Sequence, residues 1–349
     1  MTFPYSWNIK NGYPAKGIKY HGSKVFGTFI CGGGSTMGYK LAGFNHLGGV
    51  EVDPQVAEIY NANHSPAHLY QEDIRAFNNR QDLPNELYGI DLLDGSPPCS
   101  SFSMAGNRDK DWGKNKQFRE GQVSQRLDDL VFVYVETIKK LQPKVAILEN
   151  VKGLIQGNAK SYAKKIKKNF EKAGYNVQVF LLNSASMGVP QKRERVFFIG
   201  VRNDFNVPSL KLAFKERPIP FGYIEDSTQG KKITGEMLKY WRLTKEGESL
   251  SKAHPKGNYF GSIKLSSKKV CNTIVASSSS PLLRYKVAEH CSDSEICKIG
   301  SYPLDYNFKS VEPKYLIGMS VPPVMTAQIA NQIYKQWLMP IKQKLEKAG

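Results

Sequence analysis

Acidic residues are in short supply in this chain of 349 residues: Asp and Glu number 31 against 49 Lys and Arg, for a formal charge of +18. That imbalance says nothing about fold, but it points to a polyanionic partner, with nucleic acid first. An acidic membrane surface is the weaker candidate, because no basic amphipathic anchor stands out. Long apolar runs are also missing, and none approaches the ~18 residues that a membrane-spanning helix needs. The opening MTFPYSWNIK has no charged region followed by an apolar stretch, so no secretory leader is expected. Cysteine is sparse. Cys31, Cys99, Cys271, Cys291 and Cys297 are odd in number and form no CxxC pair. A disulfide framework and a four-thiolate zinc site are both poor readings, and a reducing cytoplasm fits. No His is followed two residues later by Glu, which excludes the zinc deaminase signature, and no metal is expected.

What is present reads as an ordinary globular protein, with 40% hydrophobic and 23% charged residues. The length predicts about two domains. From residue 25 onward, short apolar runs alternate with helical spacing. VFGTFI (25–30), GGVEV (48–52), residues 68–70, GIDLLD (89–94), VAIL (145–148), VQVFLL (177–182) and VFFIGV (196–201) read as strands. Helices are expected near residues 39–42 and over PQVAEIYNANH. Another is marked by Leu127, Leu130, Val131, Tyr134, Ile138 and Leu141, and a lysine-rich one carries Tyr162, Ile166 and Phe170. This alternation predicts an α/β fold with a Rossmann-like, parallel, doubly wound sheet. Residues 100–125 make a polar loop of a length usually tied to function. Residues 205–300 are Pro/Gly/Ser-punctuated and lysine-rich, and read as a second, smaller domain. Helical spacing returns over 321–338, with Ile329, Ile333 and Trp337 on one face.

Chemistry gathers at the predicted strand tips. Gly32-Gly33-Gly34 follows the first strand, where glycines let a backbone turn tightly and approach a ligand. Glu51 ends the second strand and is placed to bind ribose hydroxyls; Asp73 follows the third and can accept from an adenine amino group. Together they favour a nucleoside-containing cofactor. Cys99 follows two stiffening prolines at the fourth strand's tip, as a nucleophile or as a small buried hydrophobe. Glu149 follows VAIL, whose apolar surroundings favour a carboxyl that donates a proton to a heterocycle, although a capping Glu fits as well. In Gln191-Lys192-Arg193-Glu194-Arg195, two arginines at i and i+2 share one face of an extended segment and suit a phosphate or a base carbonyl.

In this order the motifs resemble those of the cytosine-5 DNA methyltransferases over nearly the whole chain. FICGGGSTMG (29–38), GVEVD (49–53), EDI (72–74), GSPPCSSFS, LENVKGL, VPQKRERVFFIG and YLIGMSVPPVMTAQIA carry the resemblance. There are two departures: Cys31 stands at the family's first glycine, and Met319 stands where the family has Asn. The resemblance implies an S-adenosylmethionine-dependent methyltransferase sheet with a smaller target-recognition domain. The expected division is a catalytic domain at 1–203, target recognition at 204–304, and a segment at 305–349 that completes the catalytic domain.

The implied reaction is methyl transfer from S-adenosylmethionine, yielding S-adenosylhomocysteine, to carbon 5 of a flipped-out cytosine in duplex DNA. The implied catalytic residues are Cys99, Glu149, Arg193 and Arg195. Those implied for the cofactor are Phe29, Gly32, Gly33, Gly34, Glu51, Val52, Asp73, Ile74, Pro97 and Ser320. Those implied for DNA are Ser101, Arg108, Lys114, Gln191 and Arg284. The expected partners are double-stranded DNA and a cognate restriction endonuclease, for a cytoplasmic monomer with no membrane contact. An RNA cytosine-5 methyltransferase of the same fold is one alternative, although the Cys-Phe-Thr tripeptide usual in that branch is missing. A catalytically silent DNA-binding relic is the other.

Overall fold

The computed structural model describes residues 2–98, 129–277 and 279–348. Cys99, Ser101, Arg108 and Lys114, and the polar loop around them, lie outside the described residues. In chain order the helices are α1 (Ile9–Gly12), α2 (Gly34–Leu41), α3 (Pro54–His64), α4 (Ile74–Asn79), α5 (Leu130–Leu141) and α6 (Lys160–Lys172). They continue with α7 (Gly235–Leu243), α8 (Asp293–Gly300), α9 (Pro313–Met319), α10 (Pro323–Ile333) and α11 (Met339–Ala348). The strands are β1 (Lys24–Thr28), β2 (Asn45–Val50), β3 (His68–Tyr70), β4 (Leu92–Gly95), β5 (Val145–Val151), β6 (Tyr175–Asn183) and β7 (Glu194–Arg202). Three two-residue strands follow, β8 (Glu248–Ser249), β9 (Ile263–Lys264) and β10 (Leu282–Leu283).

The large sheet runs β3-β2-β1-β4-β5-β7-β6. Its central strands are apolar on both faces, as strands covered by helices on each side must be. Val145 and Ile147 point into one core with Met37, Tyr39 and the α10 residues Ile329 and Ile333. Ala146 and Leu148 point into the other, with Tyr134 and Ile138 of α5 and Ile166 and Phe170 of α6. Local signals set the helix boundaries. Asp53 caps α3 by accepting from the backbone N–H groups of Gln55 and Val56, and Pro54 sits at the first helical position.

β1 through β5 pair parallel, as expected, but β7 pairs antiparallel with both β5 and β6. The reason is the connection: residues 184–193 between β6 and β7 are too few for the dozen or more that a parallel crossover takes. The C-terminal helical stretch also differs from a single helix. α10 and α11 are joined through a π-helical turn at Tyr334–Leu338, with Trp337 still buried.

Residues 204–304 build a small core of Ile233, Tyr240, Leu250 and Leu283 beside the three-stranded sheet β10-β9-β8. Leu210, Phe221, Leu265, Cys271, Ile274 and Ile296 from the same stretch join the main core instead. Among the described residues, no helix is long and apolar enough to cross a membrane.

Candidate active site

Parallel strands present their carboxyl ends at one sheet edge, where α/β proteins bind ligands. β1, β2, β3, β4 and β5 deliver the glycine loop, Glu51, Asp73, Pro97 and Glu149 to that edge. Because β7 runs the other way, its first residues arrive there too. Arg195 lies across from Val151, and Glu149 across from Phe197. Arg195 and Glu149 are thus diagonal neighbours on one face, within reach of long side chains. Arg195 Nε meets Glu149 Oε1 at 2.9 Å, and Glu149 is only 8% exposed. Burial works against the charge on Arg195, and the Glu149 carboxylate supports it. The neighbouring Asn150 donates from Nδ2 to the Pro97 carbonyl at 3.2 Å. This ties the Glu-Asn-Val end of β5 to the backbone two residues before Cys99.

The glycine loop is shaped by packing as much as by turn chemistry. A Cβ at Gly34 would lie 2.5 Å from the Val321 carbonyl oxygen, and one at Gly32 would lie 2.6 Å from Leu316 Cδ2. At Gly33 (φ +82°) it would run into the His64 imidazole. Two other loop residues, Phe29 (φ 55°) and Cys31 (φ 47°), also hold the left-handed region without being glycine. Such strain persists where the surroundings over-determine the backbone. Glu51 supplies part of that constraint, because its carboxylate accepts from the Cys31 N–H (2.9 Å) and the Asp53 N–H (3.0 Å). Burial pushes its carboxyl above the ordinary range, and those backbone donors pull it back.

These residues fit an adenosyl group. The Glu51 carboxylate, with about four acceptor positions, has capacity beyond its backbone donors for a ribose hydroxyl. Val52 beside it is 40% exposed, although apolar. Phe29 and Ile74 pack together in one cluster with Leu130. Asp73 caps α4 through Oδ1, which accepts from the Arg75 N–H at 2.7 Å. Ser320 sits against Gly34, and its hydroxyl accepts from Tyr302 (2.6 Å) and donates to the Leu316 carbonyl (2.9 Å).

Three expected contacts are corrected. Arg284 was expected on DNA, yet it is 5% exposed and enclosed by carboxylates. Nη1 meets Glu289 at 3.0 Å and Nη2 meets Glu295 at 2.9 Å, and Glu295 itself is fully buried. The guanidinium offsets buried negative charge and has no face left for a phosphate. Gln191 is 1% exposed; it accepts from the Ile274 N–H and donates to the Ile299 carbonyl. Arg193 does not join Arg195 at the carboxylate. It donates to the carbonyls of Ile274 (3.1 Å) and Gly318 (2.9 Å), bracing the 204–304 segment against the closing motif.

Sequence reasoning missed several residues. His64 donates from its ring to the Gly32 carbonyl at 3.3 Å, and burial holds its pKa down to about 3. Tyr306 donates to the same carbonyl. Asp94 accepts from Tyr39 at 3.0 Å, and burial pushes its carboxyl up to about 6. A His on an otherwise regular helix and an Asp within an apolar strand were the available signals, and neither named its partner.

The strand order defines an α/β fold with a mostly parallel sheet whose strand tips gather carboxylates at one edge. Residues 24–335 match the C-5 cytosine-specific DNA methylase family, and the chain belongs to that family. It is 36% identical over 204 residues to the type II methyltransferase M.FnuDI of Fusobacterium nucleatum, a match that covers 58% of this chain and 54% of that protein. It is 27% identical to M1.HphI of Haemophilus parahaemolyticus over 88% of this chain and 85% of that one. The chain thus spans about half the length of M.FnuDI and most of M1.HphI. The fold matches a candidate DNA modification methyltransferase encoded within an E. coli prophage, with TM-score 0.65, 20% identity, and coverage of 90% of this chain and 99% of the other.

Proposed function

We propose that this chain methylates carbon 5 of cytosine within a specific duplex DNA sequence. The observation that carries the reading is the buried Glu149–Arg195 pair, tied through Asn150 to the Pro97 carbonyl, two residues before Cys99 in the sequence. Phe29, Gly32 to Gly34, Glu51, Val52, Asp73, Ile74 and Pro97 would hold S-adenosylmethionine, with Ser320 closing one side. When bound, that cofactor supplies an electrophilic methyl group.

The chain's own residues make the base nucleophilic. The Cys99 thiolate adds to carbon 6, forming an S–C6 bond and opening the 5,6 double bond toward carbon 5. Glu149 stabilises the resulting enamine at ring nitrogen 3, where charge develops. Arg195 orients Glu149 and faces the base carbonyl. Once carbon 5 carries its new substituent, loss of its proton and cleavage of the S–C6 bond restore the double bond and free Cys99. A base stacked inside a duplex cannot reach a thiolate held by the protein, so the cytosine is flipped out at a cost of a few kcal/mol. Ser101, Arg108 and Lys114 would meet the DNA beside it. Residues 204–304 would choose the sequence, with the excess of basic residues, a net charge of +18 over the chain, supplying phosphate affinity. The same reading places the protein in a cytoplasm as a monomer, beside an endonuclease acting on the same site.

The test is expression of wild type and Cys99→Ser in a host that lacks cytosine methylation, followed by bisulfite sequencing of the genome. Protected cytosines at one recurring site, absent in the variant, are the expected result. A folded wild type that protects none, at any site, overturns the proposal.

A further inference from the structure

Asp94 is a buried carboxylate that the chemistry above leaves without a task. It stands one residue before the end of β4 and is 5% exposed. Its Oδ1 accepts from the Tyr39 hydroxyl at 3.0 Å, and the Ser35 hydroxyl donates to the same carboxylate. Burial pushes its carboxyl up to about 6 and these two donors pull it back, so it is an anion at neutral pH. The other titratable groups that sense its charge are Glu149 and the phenols Tyr60 and Tyr134. Among the described residues no Lys or Arg pairs with it, and a buried anion with only neutral donors around it is costly.

Its place in the sheet shows what cation would answer it. Ser35 is the second residue of α2, and Gly34 before it packs against Ser320. Toward the other side, Asp94 lies across from Ile147 of β5. Tyr39 and Ile147 share one core, so Asp94, Ile147 and Glu149 line one face of the sheet. Strands about 4.8 Å apart, with about 3.3 Å per residue, put the Asp94 and Glu149 Cα atoms about 8 Å from each other. Asp94 is therefore bonded to the helix that opens at the glycine loop, and it faces the carboxylate that serves the base. A methyl group handed from cofactor to base crosses from the first to the second. The donor of that methyl is a sulfonium cation, and the product left behind is a neutral thioether.

We propose that Asp94 is the charge-selecting residue of the cofactor site, favouring the cationic S-adenosylmethionine over the neutral S-adenosylhomocysteine that must leave after each turnover. The inference rests on the DNA-methylation reading above. The experiment is calorimetric binding to the full chain at neutral pH, with three ligands: S-adenosylmethionine, S-adenosylhomocysteine, and sinefungin, which carries an amine at the sulfonium position. Two unit charges about 10 Å apart at an effective dielectric near 20 are worth about 10- to 20-fold in affinity. Asp94→Asn removes the charge and keeps the shape. It is expected to weaken S-adenosylmethionine and sinefungin about 10-fold and to leave S-adenosylhomocysteine within about twofold. The unfolding midpoint should hold or rise, since an unpaired buried charge is lost. Asp94→Ser removes the same charge with a different shape and should shift the ratio of affinities by the same factor. Equal changes for all three ligands, no change for any, or failure of both neutral variants to fold would each overturn charge selection, while a wild type that methylates DNA keeps the methylation reading. A wild type that binds none of the three and methylates no DNA overturns both.

Discussion

A close approach of two helices, α2 and α10, offers a test in which two effects compete. Gly38 lies in the interior of α2, where replacement by Ala normally gains about 0.5–1 kcal/mol of helix stability. At this position a Cβ would lie 2.5 Å from the Pro323 carbonyl oxygen and closer still to Thr326 Cβ. Ordinary carbon contacts sit at about 3.5–4.0 Å, so α2 and α10 would have to part by about 1 Å. A backbone carbonyl cannot swing aside as a side chain does. Overpacking of this kind costs about 1–3 kcal/mol, which exceeds the propensity gain. Gly38→Ala should therefore destabilise the protein by about 1–2 kcal/mol, seen as a lower urea midpoint with an unchanged m-value. Gly38→Val should be worse. Because the same helix pair seats Ser320 and Val321 against Gly34, S-adenosylmethionine affinity should fall alongside stability. An Ala variant as stable as wild type, or more stable, would refute the claim that backbone approach and not propensity dictates glycine here.

Three further outcomes follow from the site and the core. Arg284→Met leaves Glu295 and Glu289 without their cation and should cost about 3–5 kcal/mol in chemical denaturation. A stable variant whose DNA binding shows a salt slope lowered by about 1 would restore Arg284 to the DNA surface. Glu149→Gln should keep cofactor binding and lower kcat by about 10²–10⁴-fold in a labelled-methyl assay, and near-normal turnover would remove Glu149 from the chemistry. Burial depresses His46 well below its ordinary value, His21 to about 4 and His64 to about 3. The unfolded chain then binds protons below about pH 6.5 that the folded chain does not, so stability falls with falling pH by about 1.4 kcal/mol per unit for each histidine. Asp94, raised to about 6, and Glu51, raised by burial, oppose this with at most one proton each against three histidines. Equilibrium unfolding should show a net loss as pH falls below about 6.5, and a flat profile would contradict the buried neutral histidines.

Periodicity and strand-tip chemistry made much of this protein legible in advance. Apolar runs marked the central strands because strands covered on both faces leave few polar positions. The 54–64 helix was visible to the residue, since Asp53 and Pro54 are local start signals that need no tertiary partner. Glu51 and Glu149 stood out because an acid that ends an apolar strand must emerge at the sheet edge. Only the folded chain decided which of these groups meet. The short β6–β7 connection reverses β7, and that reversal alone puts Arg195 beside Glu149. A count of basic residues cannot separate Arg195 from Arg193 or Arg284, because charge is local information and burial is not. Arg284 meets Glu295 across 11 residues, and Arg193 meets Gly318 across 125. The glycine loop shows the same division. Its composition announced a tight turn, but the groups that require glycine there, the His64 and Leu316 side chains and the Val321 carbonyl, come from distant elements that packing alone brings into place.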